Sequence, residues 1–211
     1  MLHEDLMLLF IDQQTGKVRS SFAPAENALA GAVLMDLVNS GRVAFEPNGK
    51  KLQVVDPTPV NDPVLYESLS RFDKPMRPQR AVERVRKKLQ DNVIARLAER
   101  GVVRVEPRKV LGIFPAKSYV ITDERVHGEV RKAVGDVVAG YRGPDERTGS
   151  LITLLYAVNA VHRVFDGDKR EIKRRAKEIA AGHWAGDAVR RAVEAVQAGV
   201  TAAASAAASG E

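Results

Sequence analysis

The chain has 211 residues, a formal net charge of +6 and no cysteine. The missing cysteine excludes disulfides and thiolate metal sites, and a hydrophobic fraction of 45% is ordinary for a globular protein. The most apolar segment, residues 151–161, is much shorter than the roughly 20 residues that a helix needs to cross a bilayer, so only peripheral membrane contact is expected.

The N-terminal segment predicts a strand and argues against a secretion signal. Residues 6–11 form a short apolar run, and the turn-forming sequence Gln14–Lys17 follows it. Glu4 and Asp5 stand where a signal peptide carries basic residues. Because cysteine is also missing, we expect a cytoplasmic protein.

The next elements are a helix, a hairpin and a short helix. The first helix is predicted from about Ala25 to Gly41, since glycine adopts the left-handed conformation that follows a last helical turn. Asn48-Gly49 between two β-prone runs predicts a hairpin. Asp62-Pro63 opens the short helix, because proline suits a first helical position.

Residues 79–100 predict one long amphipathic helix, which Gly101 ends. A second hairpin follows, and its strands bracket the apolar residues 110–114. The order of helix, glycine and hairpin therefore occurs twice. The buried stripe of the long helix is predicted to consist of Val82, Val85, Leu89, Val93 and Leu97.

The second half of the chain is predicted to be helical. The predicted helices are 124–139, 151–165 (the central core helix), 168–181 and 186–197. The fold class is therefore mostly α with β-hairpins (α+β): one compact helical domain with a short N-terminal strand and two helix–Gly–hairpin units. We expect this domain to cover residues 1–198 and an Ala/Ser-rich low-complexity tail to cover residues 199–211.

Positive charge is concentrated between Arg71 and Lys109, with thirteen basic and five acidic residues. Such a surface is expected to meet a polyanion: nucleic acid, anionic lipid or a phosphorylated partner. Helical spacing predicts one cationic row, either an ordinary solvated face or a phosphate-binding stripe. The row consists of Arg80, Arg84, Lys87 and Lys88.

The second hairpin carries an apolar tip next to this basic stretch. Its candidate contact residues are Leu111, Ile113 and Phe114. They either fold into the core of an ordinary hairpin or form an exposed tip, which would enter a lipid interface or contact another subunit. Basic and apolar surface together favour a membrane interface over a DNA groove.

No enzyme signature is present, and no catalytic residue, cofactor or metal site is predicted. Glycine-rich phosphate loops are absent. The histidines are His3, His127, His162 and His183, and no two have the spacing of a helical metal pair. His162 is predicted to be a core or boundary residue.

The order of motifs resembles the Golgi phosphoprotein 3 family in its bacterial branch. The likeness rests on EDLMLLFIDQQTGKV, ALAGAVLMDLVNSGRVAFE and LAERGVVRVE, followed by the apolar hairpin and the helical half, and it covers about residues 1–198. It implies a mostly helical domain with hairpins. Eukaryotic members are peripheral membrane proteins that bind phosphatidylinositol 4-phosphate and retain glycosyltransferases in the Golgi, and their hairpin contributes to membrane contact or oligomerisation.

The family's lipid pocket uses an aromatic residue and an arginine near the first helix, and two arginines on the long helix. The corresponding positions here are Phe22, Ala30, Lys87 and Gln90, of which only Lys87 is cationic. Arg84 and Lys88 are its basic neighbours on the predicted helix. The resemblance therefore implies anionic-lipid binding with few of the family's pocket residues in place.

Three functions remain open at this point. The leading expectation is a cytoplasmic, peripherally membrane-associated protein that binds anionic phospholipid head groups and acts as a non-enzymatic adaptor. The alternative is a winged-helix-like nucleic-acid-binding protein, which sparse aromatics and the apolar hairpin make unlikely. A protein-interaction adaptor, with client membrane proteins or a homo-oligomer formed through the hairpin, is compatible with the first.

Overall fold

A computed structural model describes residues 1–18, 23–47, 49–110, 114–182, 195–202 and 205–206, and the structural statements below concern these residues. The helices are α1 Leu2–Phe10, α2 Ala23–Asn39, α3 Pro63–Ser70, α4 Pro78–Val85, α5 Leu89–Glu99, α6 Glu124–Ala139, α7 Glu146–Ala157, α8 Val161–Val164 and α9 Lys169–Ala180. The strands are β1 Val43–Phe45, β2 Leu52–Val54, β3 Val103–Val110 and β4 Phe114–Ile121. Residues 195–202 are also helical.

The mostly helical α+β fold class is confirmed, and so are the two helix–Gly–hairpin units. β1 pairs with β2, and β3 pairs with β4, each as an antiparallel two-stranded sheet. Gly41 follows α2 with φ +69°, and Gly101 follows α5 with φ +68°. Both glycines therefore take the left-handed conformation that leads the chain from a helix into a hairpin.

The predicted N-terminal strand is wrong, because this segment forms α1. All nine residues of α1 are buried, so its apolar run has no exposed face that could reveal a helical period. The carboxylate of Asp36 on α2 accepts the backbone N–H groups of Leu2 and His3, each at 3.1 Å, and so satisfies two free donors at the helix start. Only a bridge between Ile11 and Val18 retains strand character.

The predicted long helix is also wrong in one respect, because it is two helices. α4 ends at Val85, α5 begins at Leu89, and Lys88 between them has φ +58°. The guanidinium of Arg71 donates to the carbonyl groups of Arg84, Val85 and Lys87 at 2.8–3.1 Å, which satisfies the free carbonyls where α4 ends. The predicted stripe is nonetheless buried along both helices.

The central core helix differs from its predicted bounds. α7 begins earlier, at Glu146, because Asp145 and Thr148 form a reciprocal capping box. It ends at Ala157, and Asn159 with φ +52° separates it from the short α8. α6 has its predicted bounds, and α9 lies within those predicted. Most of the predicted helix 186–197 lies outside the described residues.

The core is built around α1, which packs against α2, α5, α6 and α7. Leu6 and Phe10 are fully buried there, and Val196 and Val200 of the helix at 195–202 join the same core. Burial of α1 on every side also takes His3, Glu4 and Asp5 out of water. Such groups need partners in the interior, because an unpaired buried polar group is costly.

Candidate anion-binding groove

A surface groove of about 580 Å³ lies where the first hairpin meets the start of α4. We call it the basic groove, because its lining includes four cationic residues: Lys51, Lys74, Arg77 and Arg80. The remaining lining residues are Pro75, Met76, Gln79 and Glu83. The groove therefore combines four cations with one acid.

The connection between the first hairpin and the loop before α4 assembles the basic groove. Leu52 and Met76 exchange backbone hydrogen bonds of 2.8 and 2.9 Å, so the loop lies alongside β2. This places Lys51 near Lys74, although the two are far apart in sequence. Both Leu52 and Met76 are buried, which fixes the connection against the core.

The start of α4 supplies the two arginines of the basic groove. Arg77 is the N-cap residue with extended backbone, and proline at the next position favours the first helical turn. Arg80 follows in that turn and is exposed. Gly199 packs on the backbone of this turn, because a Cβ at Gly199 would lie 2.8 Å from the nitrogen of Gln79.

The cations of the basic groove are available to a ligand. Within the described part of the chain, none of the four side chains forms an ion pair or a hydrogen bond. The only acid, Glu83, accepts a hydrogen bond of 3.1 Å from the amide of Gln79. Arginine can contact a phosphate through two N–H groups and lysine acts as a point charge, so the groove suits a phosphate group.

The predicted cationic row is only partly supported by this geometry. Arg80 lies in the basic groove, whereas Arg84 pairs with Asp73 through Nη2 and Oδ2 at 3.0 Å. The hydrogen bond from Arg84 holds the pKa of Asp73 below its usual value. Arg84 also donates to the Arg71 carbonyl at 3.3 Å, so its guanidinium already has protein partners.

Lys87 and Lys88 do not share a helical face with Arg80, which corrects the premise of a single row. Both are exposed, but they lie in the break between α4 and α5 and do not line the basic groove. Lys51, Lys74 and Arg77 were missed by the sequence analysis. The local charge excess included Lys74 and Arg77, whereas nothing in the sequence links Lys51 to them.

The apolar tip lies mostly outside the described residues. Leu111 and Ile113 lie outside the described residues, as does Phe22 of the family's pocket, and Phe114 is described only as the first residue of β4. Ala30 is fully buried on α2, so this pocket position lies in the core. The role of the tip in membrane or subunit contact stays a prediction.

The fold and the groove define a class: a mostly helical α+β domain with two hairpins and a basic surface groove. Among the described residues, no helix combines the length and apolar character needed to span a bilayer. The sequence profile of the Golgi phosphoprotein 3 family (GPP34) matches residues 2–196, nearly the whole chain. The chain belongs to this family. No curated protein matches it.

Proposed function

We propose that the protein binds anionic phospholipid head groups at a cytoplasmic membrane surface and acts there as a non-enzymatic adaptor. The observation that carries this proposal is the basic groove, whose four cationic side chains form no ion pair or hydrogen bond among the described residues. Membership of the Golgi phosphoprotein 3 family supports it, because the family consists of adaptor-type proteins.

The chemistry of the groove favours a phosphate monoester over a diester. A monoester carries about −1.5 to −2 charges near neutral pH and offers three acceptor oxygens. Arg77 and Arg80 would each donate two N–H groups to such oxygens, while Lys51 and Lys74, which also line the groove, would add positive charge. Phosphatidylinositol 4-phosphate, the lipid implied by the family, presents a monoester of this kind.

Other candidate residues enter the proposal as additional contacts. Lys87 and Lys88 are exposed cations beyond the end of α4, where they can approach an anionic surface. Leu111, Ile113 and Phe114 would enter the lipid interface or contact a second copy of the chain. Client membrane proteins would then be retained by the membrane-bound protein.

Binding to vesicles tests the proposal. We expect the protein to bind phosphatidylcholine vesicles that contain phosphatidylinositol 4-phosphate, and to bind pure phosphatidylcholine far more weakly. The double substitution Arg77→Gln/Arg80→Gln should cost about 2 kcal/mol of binding free energy, because each basic residue near an anionic surface contributes about 1 kcal/mol. Added salt should weaken binding of the unsubstituted protein.

A matched control separates the groove from overall charge. Lys169 and Arg170 are exposed on α9, away from the groove lining, so Lys169→Gln/Arg170→Gln removes the same charge elsewhere. Equal losses in the two double variants would contradict a specific groove. Tight binding to duplex DNA with a steep salt dependence and no vesicle binding would favour the nucleic-acid alternative instead.

The apolar tip needs its own variant. Leu111→Ser/Phe114→Ser should weaken vesicle association even at low salt, because burial of apolar side chains in the interface is largely independent of screening. Unchanged association would remove the tip from the membrane contact. Light scattering of the same variant would report any change in oligomeric state.

A further inference from the structure

A buried polar cluster lies at the start of α1, away from the basic groove. It brings together His3, Glu4 and Asp62, which are 0%, 4% and 1% exposed. One ring nitrogen and one carboxylate oxygen from each acid lie within 4.8 Å of one another. Two of these residues are neighbours on α1, whereas the third, Asp62, is distant in sequence and is the N-cap of α3.

The hydrogen bonds of Asp36 determine the tautomer of neutral His3. Its carboxylate already accepts the backbone N–H groups of Leu2 and His3, and its Oδ2 lies 2.7 Å from Nδ1 of the His3 ring. A carboxylate in this arrangement accepts, so Nδ1 of His3 carries a proton and donates. In the neutral ring, the lone pair then resides on Nε2, the atom that faces the cluster.

Nε2 of His3 has no hydrogen-bond partner among the described residues. Its separation from Oδ1 of Asp62 is 3.9 Å, beyond hydrogen-bond range. Oδ1 of Asp62 accepts the backbone N–H groups of Val64 and Leu65, each at 3.0 Å, whereas Oδ2 of Asp62 has no hydrogen bond. A lone pair and a carboxylate oxygen thus face each other across 3.9 Å in the protein interior, where a cation between them would interact favourably with both.

The neighbouring arginines do not provide that cation. Arg100 bonds to Glu4, and Nε of Arg96 lies 3.4 Å from Oδ2 of Asp62 without hydrogen-bond geometry. Both guanidiniums approach carboxylates, and neither is hydrogen-bonded to Nε2 of His3. The α-amino group of Met1 lies 3.7 Å from Oε2 of Glu4, so this cation also approaches a carboxylate.

We propose that His3 Nε2, Glu4 and Asp62 bind a divalent transition-metal cation, for which zinc is the best fit. Zinc takes imidazole and carboxylate ligands at about 2.0–2.2 Å, which separates tetrahedral ligand atoms by about 3.4 Å. The gap of 3.9 Å is near this value and too long for a proton shared in a hydrogen bond. The carboxylate of Asp36 on Nδ1 is the outer partner that metal-bound histidines commonly have.

The metal would connect elements that are far apart along the chain. His3 and Glu4 lie in the first turn of α1, and Asp62 caps α3. A cation between them would fix α3 to α1, in a structural role with no reaction step. The proposal is independent of the basic groove, so the two can be tested separately.

Isothermal titration with zinc chloride tests the proposal. The protein is first freed of any C-terminal affinity tag and dialysed against a chelator. We expect one zinc per chain and a rise in the melting temperature. His3→Ala should weaken zinc binding about 100-fold or more, since it removes a direct ligand. Asp62→Ser should also weaken it, while serine preserves the N-cap of α3.

His162→Ala is the matched control, because it removes an imidazole from α8 without touching the cluster. Its zinc binding should equal that of the unsubstituted protein. Cobalt(II) provides a second readout, since a tetrahedral nitrogen and oxygen site gives strong visible absorption in the unsubstituted protein. This readout keeps the test valid should His3→Ala fail to fold.

Two results would overturn the metal site. One is the absence of stoichiometric zinc binding and of the cobalt absorption in the folded, unsubstituted protein. The other is zinc binding that is unchanged in Asp62→Ser or in folded His3→Ala.

Discussion

The guanidinium of Arg147 makes two hydrogen bonds of 2.7 Å to the carboxylate of Asp5, which is buried on α1. The pair connects α1 to the first turn of α7. The hydrogen bond to Asp5 raises the pKa of Arg147, and burial opposes it. Asp5 is almost fully enclosed, so this bidentate contact is important for its charge, to which Arg100 adds a further electrostatic attraction.

Arg147→Ala should therefore destabilise the protein by about 2 kcal/mol, because it leaves a buried carboxylate without its charged partner. Urea unfolding followed by circular dichroism measures this free energy. Arg142→Ala is the control, since Arg142 pairs with Asp145 at the surface and should cost less than about 0.5 kcal/mol. Similar losses for the two variants would contradict the structural role of the buried pair.

Arg71→Ala should destabilise the junction of α4 and α5 by about 2 kcal/mol. The substitution removes three hydrogen bonds to carbonyl groups where α4 ends. Hydrogen exchange should show faster opening of the amides of α4 than in the unsubstituted protein. Arg174 pairs with exposed acids on its own helix, α9, so Arg174→Ala should leave that exchange unchanged.

Two glycines in helices should respond to alanine with opposite signs. At Gly31 on α2, a Cβ would meet Leu154 at 2.6 Å and Val200 at 2.7 Å, so Gly31→Ala should cost about 1–3 kcal/mol through overpacking. At Gly128 on α6, no atom of the described residues lies within 4 Å of such a Cβ, so Gly128→Ala should stabilise by about 0.5–1 kcal/mol. Thermal unfolding checks both signs, and a harmless Gly31→Ala would contradict the packing of residues 195–202 on α2.

The basic groove and the predicted cationic row make different predictions for two arginines of α4. Arg80→Gln should weaken binding to phosphoinositide vesicles more than Arg84→Gln does. The reason is that Arg80 is unpaired among the described residues, whereas Arg84 already pairs with Asp73. Vesicle co-sedimentation at several salt concentrations measures both. A larger loss for Arg84→Gln would favour the cationic row predicted from helical spacing over the basic groove.

The pair of Arg84 and Asp73 should make stability depend on pH in the acid range. The hydrogen bond from Arg84 lowers the pKa of Asp73 in the folded protein, so the unfolded chain binds a proton more readily. The contribution is therefore present above the unfolded pKa of about 3.9 and is lost as pH falls through the lower folded value. Unfolding at pH 7 and pH 3 should show that Asp73→Asn costs more stability at pH 7 than at pH 3.

Local signals in the sequence identified much of the fold. The Asn-Gly pair predicted the first hairpin, and Gly41 and Gly101 predicted where two helices end, because these residues act within a single turn. Asp123, whose side chain accepts the amide of Val126, similarly sets the start of α6. The family followed from the same local motifs, and the profile match over residues 2–196 agrees with that resemblance.

Tertiary contacts decided what local signals could not. The helical period of α1 is not visible in the sequence because the helix is buried on all sides. α4 ends at Val85, where Arg71 from a separate segment satisfies its carbonyls. The pairing of Leu52 with Met76 assembles the basic groove from two distant segments. The sequence alone thus determined the elements that short-range turns and caps specify, whereas the groove depends on partners that only folding brings together.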